Sequence, residues 1–218
     1  MADAAGGRAA SSVVPETGSR LPQRGNAFSR GLARSFLRLL GWKVVGELPN
    51  LPKMVMIGAP HTTNWDGVLG LATLMAMGLR AATMIKASAF KGALGAVLRW
   101  FGAIPIDRDS PKGVVEQSID AFASSDRCLM LIAPEGTRDA AEDWKRGFWR
   151  IAQGAGVPVL PAAIDYRARL ITFGPPLTPG DDFEADLGTL MAFYVRHSLP
   201  RHPERLSKRL RDAGVRTG

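Results

Sequence analysis

His61 and Asp66 are the two residues of this chain that are best spaced for acid–base chemistry. His61 is predicted to lie in the turn after a first strand, and Asp66 in the opening turn of the following helix. The carboxylate can then fold back toward the imidazole, hold one tautomer and stabilise the imidazolium once a proton arrives. No serine or cysteine nearby is spaced to act as a nucleophile, so the pair predicts a general base that activates a substrate hydroxyl. The same spacing fits a capping box between Thr63 and Asp66, which is a structural alternative.

Two further segments carry polar residues at predicted strand ends. Segment 102–108, GAIPIDR, places Arg108 just beyond one strand, where its rigid fork of donors suits a phosphate. Segment 134–138, PEGTR, follows another apolar strand and supplies Glu135, Gly136, Thr137 and Arg138. A surface arginine paired with an adjacent aspartate, and a type I turn, are the structural alternatives. Because ligands bind at the carboxyl ends of parallel strands, we expect both segments to converge with His61.

These residues are positioned by short apolar runs that alternate with helical patterns from residue 53 onward. The predicted strands cover residues 54–57, 82–85, 103–106, 129–132, 157–164 and 170–173. The predicted helices cover about residues 65–78, 88–101, 111–124, 144–155 and 185–197, with glycine and proline between the elements. This alternation predicts an α/β fold with a mostly parallel central sheet flanked by helices.

Composition restricts the class of protein. A chain of 218 residues with 46% hydrophobic and 22% charged residues forms one domain with tails, which excludes wholesale disorder and collagen-like repeats. The single cysteine, Cys128, excludes disulfides within the chain and cysteine-based zinc sites, and fits a reducing compartment. The longest uncharged apolar stretch, residues 67–79, is shorter than the about 20 residues that span a bilayer, so no transmembrane helix is expected.

The net charge of +8 is concentrated at the two ends of the chain. Residues 1–46 and residues 194–218 each hold seven Lys/Arg and two Asp/Glu, whereas residues 47–193 carry a net charge of −2. Basic ends on a near-neutral body predict a polyanionic partner, either membrane lipid or nucleic acid. The two tails, residues 1–26 and 199–218, lack the aromatic residues that stack on single-stranded bases, which favours the membrane. We interpret residues 1–26 as a disordered tail without a secretory apolar region, and residues 199–218 as a basic C-terminal tail.

Residues 27–46 are predicted to form a basic amphipathic helix at the membrane interface, with the helical pattern running over residues 27–41. Apolar residues recur at helical spacing, namely Phe28, Leu32, Phe36, Leu39 and Leu40. The arginines of the segment share another face, and these are Arg30, Arg34 and Arg38. Such a helix binds the interface of an anionic bilayer. Alternatively, its apolar face packs on the domain with the arginines in water, and the two interpretations are compatible.

Four blocks together resemble the glycerolphosphate and lysophospholipid acyltransferases. His61 with Asp66 is similar to the family's His-x4-Asp motif, and segment 102–108 resembles its second block. Segment 134–138 is similar to the third block, and segment 157–161, VPVLP, to the fourth. The blocks occur in the family's order and extend over about residues 50–180, which identifies residues 47–198 as the acyltransferase domain.

The resemblance implies transfer of a fatty acyl group from a thioester, on coenzyme A or acyl carrier protein, to the free hydroxyl of a lysophospholipid. The first expected acceptor is 1-acylglycerol-3-phosphate, which becomes phosphatidic acid. By this resemblance His61 is the base, Asp66 orients it, and Arg108 and Arg138 bind the acceptor phosphate. Glu135, Gly136 and Thr137 then shape the acceptor site, and neither a metal, a cofactor nor a covalent acyl-enzyme is needed. The implied location is cytoplasmic, at the inner face of the cell membrane.

Three alternatives remain open at this point. Asp139 adds negative charge beside the implied phosphate pocket, so the acceptor could lack phosphate, as in a lyso-aminolipid. The chain could instead be a lipid-binding module without catalysis. The same His and Asp would also serve a thioesterase that transfers the acyl group to water.

Overall fold

The computed structural model describes residues 13–92, 95–96, 99, 102–107 and 113–218. The strands are β1 (Lys43–Val45), β2 (Lys53–Ala59), β3 (Ala82–Lys86), β4 (Ile104–Ile106), β5 (Cys128–Ile132), β6 (Val159–Asp165) and β7 (Leu170–Phe173). The α-helices are α1 (Ala27–Leu39), α2 (Asn64–Met77), α3 (Val114–Ala123), α4 (Gly147–Ala155), α5 (Phe183–His197) and α6 (Lys208–Asp212). Short 3-10 turns lie at Ala87–Ala89 and Pro203–Arg205. Part of the predicted helix 88–101 lies outside the described residues.

The seven strands form one sheet in the order β1-β7-β6-β2-β5-β3-β4. Strand β2 pairs in parallel with both β5 and β6, and β3 pairs in parallel with β5 and β4. Strand β7 runs antiparallel to β6, and β1 runs parallel to β7. The predicted α/β fold with a mostly parallel sheet is therefore confirmed, and the carboxyl ends of β2, β5 and β6 meet at one edge.

Strand β2 lies at the centre of the sheet and is buried on both faces. Met54 and Met56 pack into the core beneath α1 and α2, whereas Val55 and Ile57 pack into the core beneath α4 and α5. Side chains alternate along a strand, so a continuous apolar run supplies both cores at once. Strand β2 thereby fixes the position of the turn that follows it.

Helix α2 begins at the N-cap Thr63, directly after that turn. Thr63 and Asp66 form the capping box that the sequence predicts, with Asp66 as the third residue of the helix. The helix ends at Gly78, whose φ of 73° lies in the left-handed region that glycine adopts without strain. The capping box therefore fixes the Asp66 carboxylate at the start of α2.

Helix α1 packs on the domain and also keeps an apolar face exposed. Ala33 and Leu37 are buried, and Arg34 donates a hydrogen bond from Nε to the Ala76 carbonyl of α2 at 2.9 Å. The apolar residues farther round the helix are exposed, with Phe28 at 79%, Leu32 at 61% and Leu39 at 86%. One face of α1 thus packs on the domain, whereas binding of the exposed apolar face to a bilayer stays a prediction. The helix ends at Leu39, short of the predicted residue 46, and residues 43–45 form the edge strand β1 instead.

Both ends of the chain differ from their sequence interpretation. Val13, Val14 and Leu21 are buried in the core, so the disordered tail predicted for residues 1–26 is wrong from residue 13 onward. The C-terminal segment, residues 199–218, buries Leu206, Leu210 and Val215. These apolar residues are irregularly spaced in the sequence, and each packs on the domain individually. They therefore show neither the helical nor the strand periodicity by which packed elements are recognised. Among the described helices, none has the length and apolar composition needed to cross a bilayer.

Candidate active site

The structure brings His61 and Asp66 together at the carboxyl end of β2. The Nδ1 atom of His61 lies 3.5 Å from Oδ2 of Asp66. The His61 side chain is 26% exposed and that of Asp66 is 7% exposed. Because Nδ1 faces the carboxylate, Nε2 is the ring nitrogen left to accept a proton from a substrate. Hydrogen bonds between catalytic groups are often long before substrate binds, so this distance suits an orienting pair.

Three donors hold the Asp66 carboxylate. Its Oδ2 accepts hydrogen bonds from the backbone N–H groups of Thr62 and Thr63, at 2.7 and 2.9 Å. Its Oδ1 accepts a hydrogen bond from the Tyr166 hydroxyl at 2.5 Å. The carboxylate therefore caps α2 and faces His61 at the same time, so the capping box is confirmed and the geometry leaves the catalytic interpretation of the spacing as a prediction.

Tyr166 was missed by the sequence analysis. It follows β6 directly, and its ring packs edge-on against Trp42, with ring centres 5.2 Å apart. Burial, and then the hydrogen bond to Asp66, raise the pKa of its hydroxyl, so Tyr166 stays a proton donor to that carboxylate. The available signal was its position at the end of a predicted strand, the place where His61 and Glu135 were found.

Glu135 lies beneath His61. Its carboxyl group is buried, with the residue 2% exposed, and Oε2 accepts a hydrogen bond from the His61 backbone N–H at 2.6 Å. The pKa of Glu135 is raised to about 7 because the loss of solvation on burial outweighs the hydrogen bonds of the His61 N–H and the Ser207 hydroxyl, which lower it. The sequence analysis assigned Glu135 to the acceptor site, but in the structure this side chain contacts the turn that carries His61.

The remaining residues of the PEGTR segment border a groove beside His61. Gly136 has a φ of 69°, in the left-handed region that glycine adopts without strain, and the Lys145 side chain lies close beside it. The Thr137 hydroxyl accepts a hydrogen bond from the Asp139 N–H at 3.2 Å. Arg138 donates from Nη1 to the Asn64 side-chain oxygen at the start of α2. Arg108, the other predicted phosphate ligand, lies outside the described residues.

Two spaces of opposite chemistry meet at His61. The first, which we call the apolar cavity, has a volume of about 240 Å³ and lies between α2 and the sheet. Besides His61 and Asp66 its walls are apolar or small, and include Met56, Gly70, Leu74, Leu131, Ile171 and Phe173. The second, which we call the basic groove, has a volume of about 1600 Å³. The charged residues along the basic groove are Arg138, Asp139, Lys145, Arg146 and Arg150. His61 lines both spaces.

Two glycines leave the apolar cavity open. Gly67 and Gly70 both lie on α2 and line this cavity. A Cβ atom added at either position would meet nothing within 4 Å. The helix therefore leaves room against the sheet where a larger side chain would occupy it.

The comparisons with known proteins agree with this fold. A family model described as Acyltransferase matches residues 43–165, which include His61, Asp66 and the PEGTR segment. The crystal structure of the 1-acyl-sn-glycerophosphate (LPA) acyltransferase PlsC from Thermotoga maritima is similar, with a TM-score of 0.58 and 16% sequence identity. The similarity covers 78% of this chain and 76% of that one. No curated protein matches the sequence. The family match extends over more than half of the chain, and the chain therefore belongs to the acyltransferase family.

Proposed function

We propose that this protein transfers a fatty acyl group from an acyl thioester to the free hydroxyl of a lysophospholipid, with His61 as the general base. The first acceptor we assign is 1-acylglycerol-3-phosphate, which becomes phosphatidic acid. One observation carries the proposal, namely that His61 lies where the apolar cavity opens onto the basic groove. A reaction between a fatty acyl thioester and a phosphorylated acceptor needs an apolar space for the acyl chain and cationic side chains for the phosphate, both beside one general base.

In the proposed reaction the acyl chain enters the apolar cavity and places the thioester carbonyl beside His61. Nε2 of His61 takes the proton of the acceptor hydroxyl while the oxygen attacks the carbonyl carbon. The tetrahedral intermediate then collapses, the carbon–sulfur bond breaks, and the imidazolium returns its proton to the leaving thiolate. The products are an ester and a free thiol, and no acyl-enzyme forms.

Asp66 and Glu135 position the base in this account. The Asp66 carboxylate faces Nδ1, which keeps Nε2 free of its proton in the resting state and stabilises the imidazolium formed during attack. Glu135 accepts the backbone N–H of His61 and so holds the turn in place. Neither carboxylate needs to contact substrate.

The charge of the basic groove supports a phosphorylated acceptor over a lyso-aminolipid. Four cationic side chains and one acidic side chain line it, so Asp139 is outnumbered. Arg138 bonds to Asn64 at the start of α2, close to the turn that carries His61, and we assign it to the acceptor phosphate together with Arg108. Lys145 and Arg150 then remain for the phosphates of coenzyme A or the acidic surface of acyl carrier protein.

The exposed apolar surface of α1 and α2 supports peripheral binding to the inner face of the cell membrane. On α2, Trp65 is 41%, Val68 43% and Leu71 40% exposed, and α2 packs beside α1 with its exposed Phe28 and Leu32. Each large apolar side chain that leaves water contributes about 1.5 to 3 kcal/mol, and each arginine near anionic lipid about 1 kcal/mol. Such a surface would hold the protein where both substrates dissolve.

The experiment is thiol release from palmitoyl-coenzyme A in neutral detergent, with and without lysophosphatidic acid, for wild type and His61→Ala. We expect acceptor-dependent release that falls by about 10²- to 10⁴-fold in His61→Ala, because a positioned general base typically contributes that much. His202→Ala is the matched control, since His202 faces Glu204 on the surface at 3.1 Å. Full activity in a folded His61→Ala protein would refute the proposal, and release without an acceptor would favour a thioesterase.

A further inference from the structure

The C-terminal segment, which lies beyond the residues matched by the family, reaches the catalytic pair. Leu199 donates its N–H to the Ile164 carbonyl and accepts the Tyr166 N–H, both at 3.0 Å. Leu199 thus extends the edge of β6 as a short parallel bridge to Asp165. Arg216 donates to the Asp165 carboxylate at 2.9 Å, so a second point of the segment is fixed to the same strand end.

Arg201, two residues after Leu199, lies over the aromatic rings of Trp65 and Tyr166. Its guanidinium carbon is 5.8 Å from the ring centre of Trp65 and 5.9 Å from that of Tyr166, distances at which a cation is attracted to an aromatic face. Trp65 directly precedes Asp66 in α2, and Tyr166 hydrogen-bonds to Asp66. Arg201 also interacts with the Tyr166 hydroxyl.

Arg201 is distinguished by its two aromatic neighbours. Three arginines of the C-terminal half, Arg146, Arg209 and Arg216, instead contact a carboxylate, at 3.2, 2.8 and 2.9 Å. Within the described part of the chain, no carboxylate oxygen lies within 4 Å of Arg201, which is exposed. Its guanidinium is thus held in place by rings and keeps most of its five donors available.

The surroundings of Arg201 indicate which kind of anion its guanidinium suits. Trp65 is 41% exposed and begins the exposed apolar stripe of α2 that continues through Val68 and Leu71. A cation at the border of an exposed apolar stripe suits an anion that is attached to an apolar chain. An arginine fork binds the oxygens of a phosphate in pairs, which makes a phospholipid the matching ligand.

We infer that Arg201, held by Trp65 and Tyr166, is a binding site for the phosphate group of a lipid. The phosphate has two sources, the lysophospholipid acceptor or a phospholipid of the bilayer. The first source rests on the proposed function, whereas the second does not. Arg201 would then bring a lipid to the membrane-facing side of the His61–Asp66 pair.

The test compares Arg201→Gln and Arg201→Lys with the control Arg205→Gln, an exposed arginine of the same segment. Its first arm measures KM for lysophosphatidic acid and for monoacylglycerol, which lacks phosphate, in neutral detergent micelles. Its second arm measures cosedimentation with vesicles of phosphatidylcholine and phosphatidylglycerol in equimolar amounts. Thermal unfolding of each variant checks the fold, and because Arg201 is exposed we expect no change there.

If the acceptor is the source, Arg201→Gln raises KM for lysophosphatidic acid by about tenfold or more and leaves KM for monoacylglycerol unchanged. If the bilayer is the source, Arg201→Gln weakens vesicle binding by a similar factor. Arg201→Lys keeps the charge without the planar fork and falls between wild type and Arg201→Gln.

Equal behaviour of Arg201→Gln and Arg205→Gln in both arms would overturn the inference. So would an equal loss of kcat with both acceptors, because Arg201 would then act only through Tyr166. If the wild-type protein acylates neither acceptor, the proposed function fails, and the vesicle arm alone decides for or against Arg201.

Discussion

The apolar cavity and the basic groove meet at His61 and share a short stretch of wall, Thr83 and residues 131–133. Beyond that stretch, strand and helix residues such as Met56 and Gly70 enclose the cavity. Four of the five charged residues of the groove, Arg138, Asp139, Lys145 and Arg146, come from the loop between β5 and α4, and the fifth, Arg150, lies on α4. Regular elements thus enclose the space for an acyl chain, whereas a loop supplies most of the charges for a head group.

The largest expected effect concerns Glu135, whose buried carboxyl group contacts the backbone of His61. Its pKa is raised from 4.5 to about 7, so in the folded protein its proton is retained where the unfolded chain has lost it. The contribution of the protonated Glu135 to the free energy of unfolding is fully present below pH 4.5 and is lost as the pH rises through about 7. At about 1.4 kcal/mol per pKa unit, we expect the wild-type free energy of unfolding to fall by about 3 kcal/mol relative to Glu135→Gln across this window.

Denaturant unfolding of both proteins at a series of pH values measures this difference. Parallel stability profiles for wild type and Glu135→Gln would contradict the burial of a neutral carboxyl group at this position. Gly70→Leu serves as a control from the other space, since it should leave the pH dependence as in the wild type.

Filling the apolar cavity should change the choice of donor. Gly70→Leu projects a side chain into open space and excludes several methylene groups of a long acyl chain, each worth about 0.8 kcal/mol. We expect kcat/KM for palmitoyl-coenzyme A to fall by about 100-fold while that for octanoyl-coenzyme A changes little. Steady-state kinetics with the two donors checks this.

Gly188→Leu is the matched control, because Gly188 is an exposed helical glycine of α5 with equally free space around a Cβ. An equal loss for both donors in Gly70→Leu would show that the apolar cavity does not hold the acyl chain.

Removing a cation from the basic groove should change the choice of acceptor. Arg138→Gln deletes a charge-assisted contact, for which about 1.5 to 3 kcal/mol is typical, so KM for lysophosphatidic acid should rise by at least about tenfold. KM for monoacylglycerol should stay the same, and initial rates with both acceptors measure the difference. An unchanged KM for lysophosphatidic acid would exclude Arg138 from the phosphate site.

The smallest expected effect comes from Tyr166→Phe, which deletes one of the three hydrogen bonds to Asp66. A hydrogen bond to a charged group contributes about 1.5 to 3 kcal/mol, and because only part of it reaches His61 through Asp66, we expect kcat to fall by roughly two- to tenfold. KM for either substrate should not change, because Tyr166 acts through Asp66. An unchanged kcat in Tyr166→Phe would contradict the positioning role.

The sequence predicted those parts of the site that depend on local spacing. His61 and Asp66 lie five positions apart across a strand–helix turn, and periodicity alone located β2 and α2 to within two residues. Tyr166 and Arg201 could not be predicted in the same way, because Tyr166 contacts Asp66, and Arg201 contacts Trp65 and Tyr166, from distant parts of the chain. The burial of Leu21 was missed for the same reason, since a single apolar residue in a polar segment leaves no pattern.

The role of Glu135 shows a further limit of prediction from spacing. Its place in the PEGTR segment located it at the correct sheet edge but did not tell which way the carboxyl group faces. That direction depends on packing against His61 and the C-terminal segment, contacts 74 residues away in one case. Sequence spacing thus located the site, whereas tertiary contacts decided which of its residues face a substrate.

The most direct test of the account is whether donor choice and acceptor choice are independent on the two sides of His61. We would measure kcat/KM for palmitoyl- and octanoyl-coenzyme A, each with lysophosphatidic acid and monoacylglycerol, in wild type, Gly70→Leu and Arg138→Gln. The account predicts that Gly70→Leu alters only the ratio between donors and Arg138→Gln only the ratio between acceptors. If each variant alters both ratios, the acyl chain and the acceptor head group do not occupy separate spaces on the two sides of His61.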